Sequence, residues 1–247
     1  MVRAQKILFS SLGIDRVKAI IGGSMGGMQA LVFALDYPNF AEMVIPMATT
    51  HATQPHVIAA NKIMAEAIRF APEFANGNYD PKTIRNDGFA GLSVARMIGF
   101  LGFLSPNSME EKFGRRYVQD DGLFELFGRF EVERYLEHNG YNFPKYFDPL
   151  SYLYILKAIS IFDLSFGFDS LHDALSKIKS KVHLIGFSGD IMFYPRELQA
   201  IKACMDEIGK SDLCSYYEVQ SDYGHDSFLV EVELFDDYVN NLLRGEP

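Results

Sequence analysis

Ser24 sits at the centre of Gly22-Gly23-Ser24-Met25-Gly26, an instance of G-x-S-x-G. A serine hydroxyl is a weak nucleophile, and to attack a carbonyl it needs a base within hydrogen-bond reach and a carboxylate that orients the base. Both occur further along the chain, at Ser188-Gly189-Asp190 and Gly224-His225-Asp226. Ser24, Asp190 and His225 are therefore the candidate catalytic set, and the chemistry they suit is nucleophilic attack by the serine hydroxyl. His51, His56, His138, His172 and His183 fit no equivalent place and read as structural or surface residues. The six histidines are scattered and no metal-ligand cluster is predicted.

The elements around these residues are what the chemistry requires. Val17 to Ile21 is a short β-branched run that predicts a buried parallel strand. After the glycines, Met28, Leu31, Val32 and Leu35 fall at helical spacing, and Pro38 stops the pattern. Strand, glycine-flanked serine and helix together are the context of a nucleophile elbow. A serine on so sharp a turn has strained backbone angles, and neighbours without side chains let strand and helix crowd against it. The free N–H groups at the helix start favour developing negative charge. Asp190 and His225 each follow a predicted strand, at 182–187 and 215–219, which places them on the carboxyl edge of the sheet. Ser, Asp, His is the chain order of the α/β-hydrolases.

The chain has 247 residues, enough for a substantial core in one domain with a large insertion. Its net charge of −9 argues against nucleic acid or an anionic membrane as main partner. Two cysteines, Cys204 and Cys214, without metal-type pairing point to a reduced, cytoplasmic protein. No run approaches transmembrane length, and the start lacks a signal-peptide pattern. Residues 2–12 predict an amphipathic helix with Ile7, Leu8 and Leu12 on one face and Gly13 as its C-cap. A second strand is expected over 43–47. From 56 to about 161 the pattern turns helical: Ala60, Ile63, Met64, Ala67 and Ile68 form one face, and 92–104 predicts a more fully buried helix. Asn76-Gly77-Asn78, Ser105-Pro106 and Asp148-Pro149 punctuate it. Helices are also predicted over 195–208 and 228–243. The expected organisation is a core with a mostly parallel, helix-flanked sheet, built from residues 1–55 and 166–247 and interrupted by a helical cap at 56–165.

Ile21-Gly22-Gly23-Ser24-Met25-Gly26-Gly27-Met28-Gln29-Ala30 resembles the elbow of the homoserine O-acetyltransferases. Asn76-Gly77-Asn78-Tyr79, Ala95-Arg96-Met97-Ile98-Gly99, Ser188-Gly189-Asp190 and Gly224-His225-Asp226-Ser227-Phe228-Leu229 are similar to further motifs of that family. The resemblance runs from Met1 to the C-terminus. It implies the C-terminal part of an α/β-hydrolase fold and a two-step transfer of acetyl from acetyl-CoA, through Ser24, to the hydroxyl of L-homoserine in methionine biosynthesis. His225 would be the general base, Asp190 its orienting carboxylate, and the backbone N–H of Met25 one oxyanion donor. Arg96 matches the arginine that pairs with the substrate carboxylate, and Asp226 the residue that receives the substrate ammonium. No cofactor is implied beyond acetyl-CoA as acyl donor, and a homodimer through the cap helices is expected. Where the family usually carries a tyrosine that helps hold substrate, this chain has Phe103.

The family pattern also carries a long segment ahead of the helix that opens this chain, and Met1 aligns with an internal methionine. The expectation is an N-terminally shortened homologue, with the elbow strand at an exposed sheet edge and one oxyanion donor missing. Such a donor is typically worth about 2.7–4 kcal/mol. Four alternatives remain open on sequence: transfer of succinyl rather than acetyl, transfer to serine rather than homoserine, simple ester hydrolysis, and a non-catalytic fragment.

Overall fold

The runs that the sequence predicts as strands do form a sheet, although the run at 17–21, expected to be buried, is half-buried or exposed throughout, with Ile21 44 % exposed. In the computed structural model, which describes residues 1–119 and 124–245, the chain runs α1 (Val2–Ser11), β1 (Val17–Gly23), α2 (Met25–Asp36) and β2 (Ala41–Met47). Six helices follow: α3 (Pro55–Phe70), α4 (Pro81–Asp87), α5 (Ala90–Phe103), α6 (Pro106–Phe113), α7 (Glu131–Asn142) and α8 (Pro149–Ser160). The strand pattern then returns with α9 (Leu171–Ser176), β3 (Lys181–Phe187), α10 (Pro195–Glu207), β4 (Cys214–Val219), α11 (Ser227–Val230) and α12 (Asp236–Arg244). The chain divides into two units, one of Met1–Ala52 with Phe162–Pro247, the other of Thr53–Ile161. The division falls a few residues before each expected boundary.

The first unit holds a four-stranded sheet in the order β1-β2-β3-β4, all parallel. Alternation along the strands feeds two cores. Val44, Val182 and Leu184 face the apolar stripes of α2, α9 and α10, while Met43, Ile45, Ile185 and Phe187 pack with Phe235 and the α12 side chains. Strands buried on both faces read as continuous apolar runs, which is why β2 and β3 were legible. Register pairs Gly23 with Met47, Met47 with Ile185, and Phe187 with Val219. The carboxyl ends of β1 and β2 are thus level with each other, those of β3 and β4 reach two residues further, and the loops that leave all four share one edge. Among the described residues β1 pairs with β2 alone.

Two helices of this unit differ from expectation. α1 ends at Ser11 with Leu12 as its C-cap, and Gly13 follows with φ 71°. Its Ile7, Leu8 and Leu12 are exposed, whereas Val2 is buried and Phe9 rests on the rings of Phe33 and Phe40 at 6.2 and 5.4 Å. Aromatic contacts, not the aliphatic stripe, set how this helix lies. The expected helix over 228–243 is three pieces: α11, a 3-10 turn at Val232–Leu234, and α12. The break turns Phe235 inward, edge-on to Phe187 at 5.5 Å and 82°.

The second unit has its own core, built on Met64, Ile68, Phe89, Leu92, Phe143 and Leu156. Asp80, Ser105 and Asp148 each accept a hydrogen bond from the first turn of the helix that follows, with proline at the first helical positions. Such caps contribute about 1 kcal/mol each. The buried stripe of α3 is Val57, Asn61, Met64 and Ile68. The expected Ile63 is 59 % exposed, because Asn61 takes the inner position by donating to Ser160 Oγ at 3.0 Å and to the Leu156 carbonyl at 3.4 Å. α5 is one-sided rather than fully buried: Leu92, Ala95, Gly99 and Phe100 face in, and Val94 and Leu101 face solvent. Tyr79 donates to Asp148 and accepts the Leu150 N–H; burial and the Asp148 carboxylate push its hydroxyl up to about 12.

Candidate active site

The backbone of Ser24 has φ 56° and ψ −122°, a conformation that a residue with a side chain rarely adopts. Two features hold it there. The Ser24 N–H donates to the carbonyl of Met47 at 2.9 Å, tying the turn to the end of β2. The flanking glycines allow close approach, though not symmetrically. A Cβ at Gly22 would meet the backbone of Gly26 at 2.4 Å, and one at Gly23 would meet the Phe228 ring at 2.2 Å, whereas one at Gly26 would meet nothing. The motif's last glycine is thus the surface against which the first must be bare. Met25 is the first residue of α2, so its N–H is among the donors without an intrahelical acceptor.

Asp190 and His225 arrive from the loops after β3 and β4. One Asp190 oxygen accepts the N–H groups of Met192 and Phe193 at 2.8 and 2.9 Å. The other accepts His225 Nδ1–H at 2.8 Å, and His225 Nε2 lies 2.8 Å from Ser24 Oγ. Because Nδ1 carries the proton given to Asp190, the Nε2 lone pair is left to accept the serine hydroxyl. Asp190 is 1 % and His225 2 % exposed. An imidazole held dry between a carboxylate and a hydroxyl can take the serine proton and return it elsewhere.

Several neighbours of this line had no role assigned to them from the sequence. Phe193 and Phe228 stand edge-on to the His225 ring at 5.4 and 5.7 Å. The histidine loop is braced by Ser221 Oγ, which lies 2.7 Å from Ser227 Oγ, donates to Glu231 and accepts the Tyr223 N–H. Ser227 Oγ donates to the carbonyl of Gly224 at 2.6 Å. Ser188 Oγ donates to the Ser221 carbonyl and accepts its N–H, so the aspartate and histidine loops are sewn together. Gly189 makes this possible, since a Cβ there would meet the Ser221 carbonyl at 2.6 Å. In retrospect the serines spaced around Asp190 and His225 were the available cue.

Asp226 is the N-cap residue of α11 and half-buried, but its side chain does not cap that helix. Arg96 belongs to the other unit, on α5, where its guanidinium carbon lies over the rings of Phe100, Phe103 and Phe143 at 4.8, 5.0 and 4.8 Å. Of the remaining histidines, His172 meets Glu207 at 2.6 Å, His183 meets Ser215 at 2.7 Å, and His56 and His138 are exposed. His51 lies 3.8 Å from a Glu197 oxygen. Cys204 and Cys214 are free thiols, and burial pushes that of Cys214 up to about 12. Among the described residues no three His, Cys, Asp or Glu side chains are placed to hold a metal, and no helix is long and apolar enough to cross a membrane.

Comparison with known proteins agrees with this geometry. The chain is 63 % identical over 246 residues to the homoserine O-acetyltransferase of Nautilia profundicola, covering 100 % of this chain and 66 % of that protein. It is 56 % identical over 245 residues to that of Sulfurimonas autotrophica, covering 99 % and 66 %. The crystal structure of homoserine O-acetyltransferase from Bacillus anthracis superposes with a TM-score of 0.89 at 26 % identity, covering 98 % of this chain and 64 % of that one. The chain thus spans about two thirds of the length of the curated relatives it matches. A family model for the alpha/beta hydrolase fold matches residues 3–232, a span that holds the strained serine turn and both loops that reach it, and the chain belongs to that family.

Proposed function

We propose that this chain carries the catalytic serine, histidine and aspartate of a homoserine O-acetyltransferase. The observation that carries the reading is the unbroken line from Asp190 through His225 to Ser24, two hydrogen bonds of 2.8 Å each. Similarity along its whole length to proteins named for that activity supports it.

In the first half-reaction Ser24 Oγ attacks the thioester carbon of acetyl-CoA while His225 Nε2 takes its proton. The C–S bond then breaks, and His225 returns the proton to the leaving thiolate. In the second, the homoserine side-chain hydroxyl gives its proton to His225 and attacks the acetyl-serine; the C–Oγ bond breaks and Ser24 recovers the proton. Asp190 holds the tautomer and faces the imidazolium in both halves. The Met25 N–H is aimed at the oxyanion by its place at the start of α2. Arg96 takes the homoserine carboxylate, for which a planar fork of N–H donors is suited, and Asp226 takes the ammonium. No cofactor takes part beyond acetyl-CoA as donor.

The same reading includes a cytoplasmic homodimer joined through the cap helices. Exposed Phe70, Leu101 and Tyr154 on α3, α5 and α8 support that face. Sedimentation at several concentrations tests it, and a monomer throughout removes it.

The deciding experiment is intact-mass detection of an acetyl group on Ser24 after mixing with acetyl-CoA, followed by its discharge with L-homoserine to O-acetylhomoserine. Discharge to water alone would make the chain an esterase, and faster loading from succinyl-CoA would change the donor. No label on Ser24 from either thioester would end the reading.

A further inference from the structure

Arg96, Phe100 and Phe103 share one face of α5, at helical spacings of four and seven residues from the arginine. Phe143 reaches the same guanidinium from the 3-10 turn after α7. The three rings are themselves held. Phe100 stands edge-on to Phe103 at 5.7 Å, and Phe143 stacks on Phe147 at 4.9 Å and 15°. Phe143 also meets Tyr152 edge-on at 5.7 Å. Gly99 gives the Phe103 ring its place, because a methyl there would meet two ring carbons at 3.1 Å.

The chemistry of this box is unusual for a half-buried arginine. Among the described residues Arg96 has no ion pair and no hydrogen bond, although it lies in a chain with net charge −9. Ring faces attract a cation through their quadrupole but offer no hydrogen-bond acceptor. All five guanidinium N–H donors are therefore unspent while the cation itself is stabilised and partly desolvated. Burial raises the Tyr152 hydroxyl, and the nearby Arg96 charge opposes that shift. An acid partner would have held the arginine equally well but would compete with any incoming carboxylate.

We propose that Phe100, Phe103 and Phe143 form an aromatic clamp that positions Arg96 for the carboxylate of the amino-acid acceptor, with Phe103 as the affinity-determining ring. The proposal rests on the reading of Arg96 as the carboxylate contact and adds the device that presents it. Phe103 stands where the resemblance leads to a tyrosine; the clamp gives that ring a task that needs its face and no hydroxyl. These are positioning residues, acting on the acceptor through the arginine, so they bear on acceptor affinity and leave the loading of Ser24 unchanged.

The test replaces Phe103 with mono-, di- and trifluorinated phenylalanine, which keeps the ring's shape while draining its quadrupole. L-Homoserine binding is measured by calorimetry, and acetylation of Ser24 by intact mass. Affinity should fall stepwise with each fluorine, by about tenfold at the last, with acetylation unchanged. Phe103→Tyr should bind homoserine within about twofold of the native chain, since the face is retained. A flat series, with Arg96→Ala still losing homoserine, overturns the clamp and leaves the carboxylate reading in place. If Arg96→Ala binds homoserine as the native chain does, the carboxylate reading falls and takes the clamp with it. The fluorinated series keeps the question answerable should Phe103→Leu fail to fold.

Discussion

Two charged groups in this molecule are held by opposite means. On the carboxyl edge of the sheet, both oxygens of Asp190 and both nitrogens of His225 are engaged in directional hydrogen bonds. In the helical unit, Arg96 is held by three ring faces and by no hydrogen bond among the described residues. The difference suits the tasks proposed for the two places. A group that passes a proton must keep one tautomer and one direction, which only bonds to fixed partners impose. A cation that is to receive another molecule's charge must be stabilised without spending its donors, and aromatic faces do that.

The comparison breaks first, if it breaks, at the serine. Ser24→Ala and His225→Ala should each lower transfer by about 10⁴–10⁶-fold, and the double variant should be no worse than either single one, because the groups act as a unit. Steady-state rates of CoA release check this, and a double variant far below both would show that His225 does not work through Ser24. Asp190→Asn should cost about 10⁴-fold while shifting the melting temperature little. Its remaining carbonyl oxygen can still accept the Met192 and Phe193 N–H groups, but the imidazole loses the partner that fixes its tautomer.

For the ring-held cation a smaller and differently placed effect is expected. Arg96→Ala should raise the homoserine KM by about 10²-fold, the range of a lost charge-assisted pair, and leave acetylation of Ser24 intact. Pre-steady-state loading and steady-state KM, measured on the same variant, separate the two. Equal damage to both halves would make Arg96 a structural residue.

Smaller still is the packing behind the elbow. Gly23→Ala should destabilise by about 1–3 kcal/mol, since its methyl enters the Phe228 ring. Phe228→Leu on top of it should recover part of that loss in a urea melt. An additive pair of losses would show that the ring is not what requires the glycine.

His51 sharpens the contrast from the other side, as a half-buried imidazole of the core unit whose Nδ1 has no hydrogen-bond partner among the described residues. Burial, opposed by Glu197 and Asp163, holds its pKa below the usual 6.5. The unfolded chain therefore binds the proton first, and stability should fall as pH drops from 6.5 through that lowered value. His183, lowered by burial and by Lys181, adds in the same direction. Urea midpoints between about pH 7.5 and 5.5 should fall less steeply in His51→Gln than in the native chain. Parallel slopes would mean that His51 is not lowered by its surroundings.

The sequence by itself determined which serine, histidine and aspartate the fold brings into one hydrogen-bonded line. Glycines around Ser24, apolar runs before Ser24, Asp190 and His225, and the order of the three are local signals, and local signals survive folding because strand period and turn sterics involve only near neighbours. Tertiary structure decided the rest. Which stripe of α3 faces inward turned on Asn61 finding Ser160, ninety-nine residues away. The expected C-terminal helix broke because Phe235 had a place against Phe187. The serines that brace His225, and the three rings around Arg96, are brought together from separate loops and helices. Periodicity carries no information about a partner that distant. Burial free energy depends on which surfaces meet, and only the folded chain specifies that.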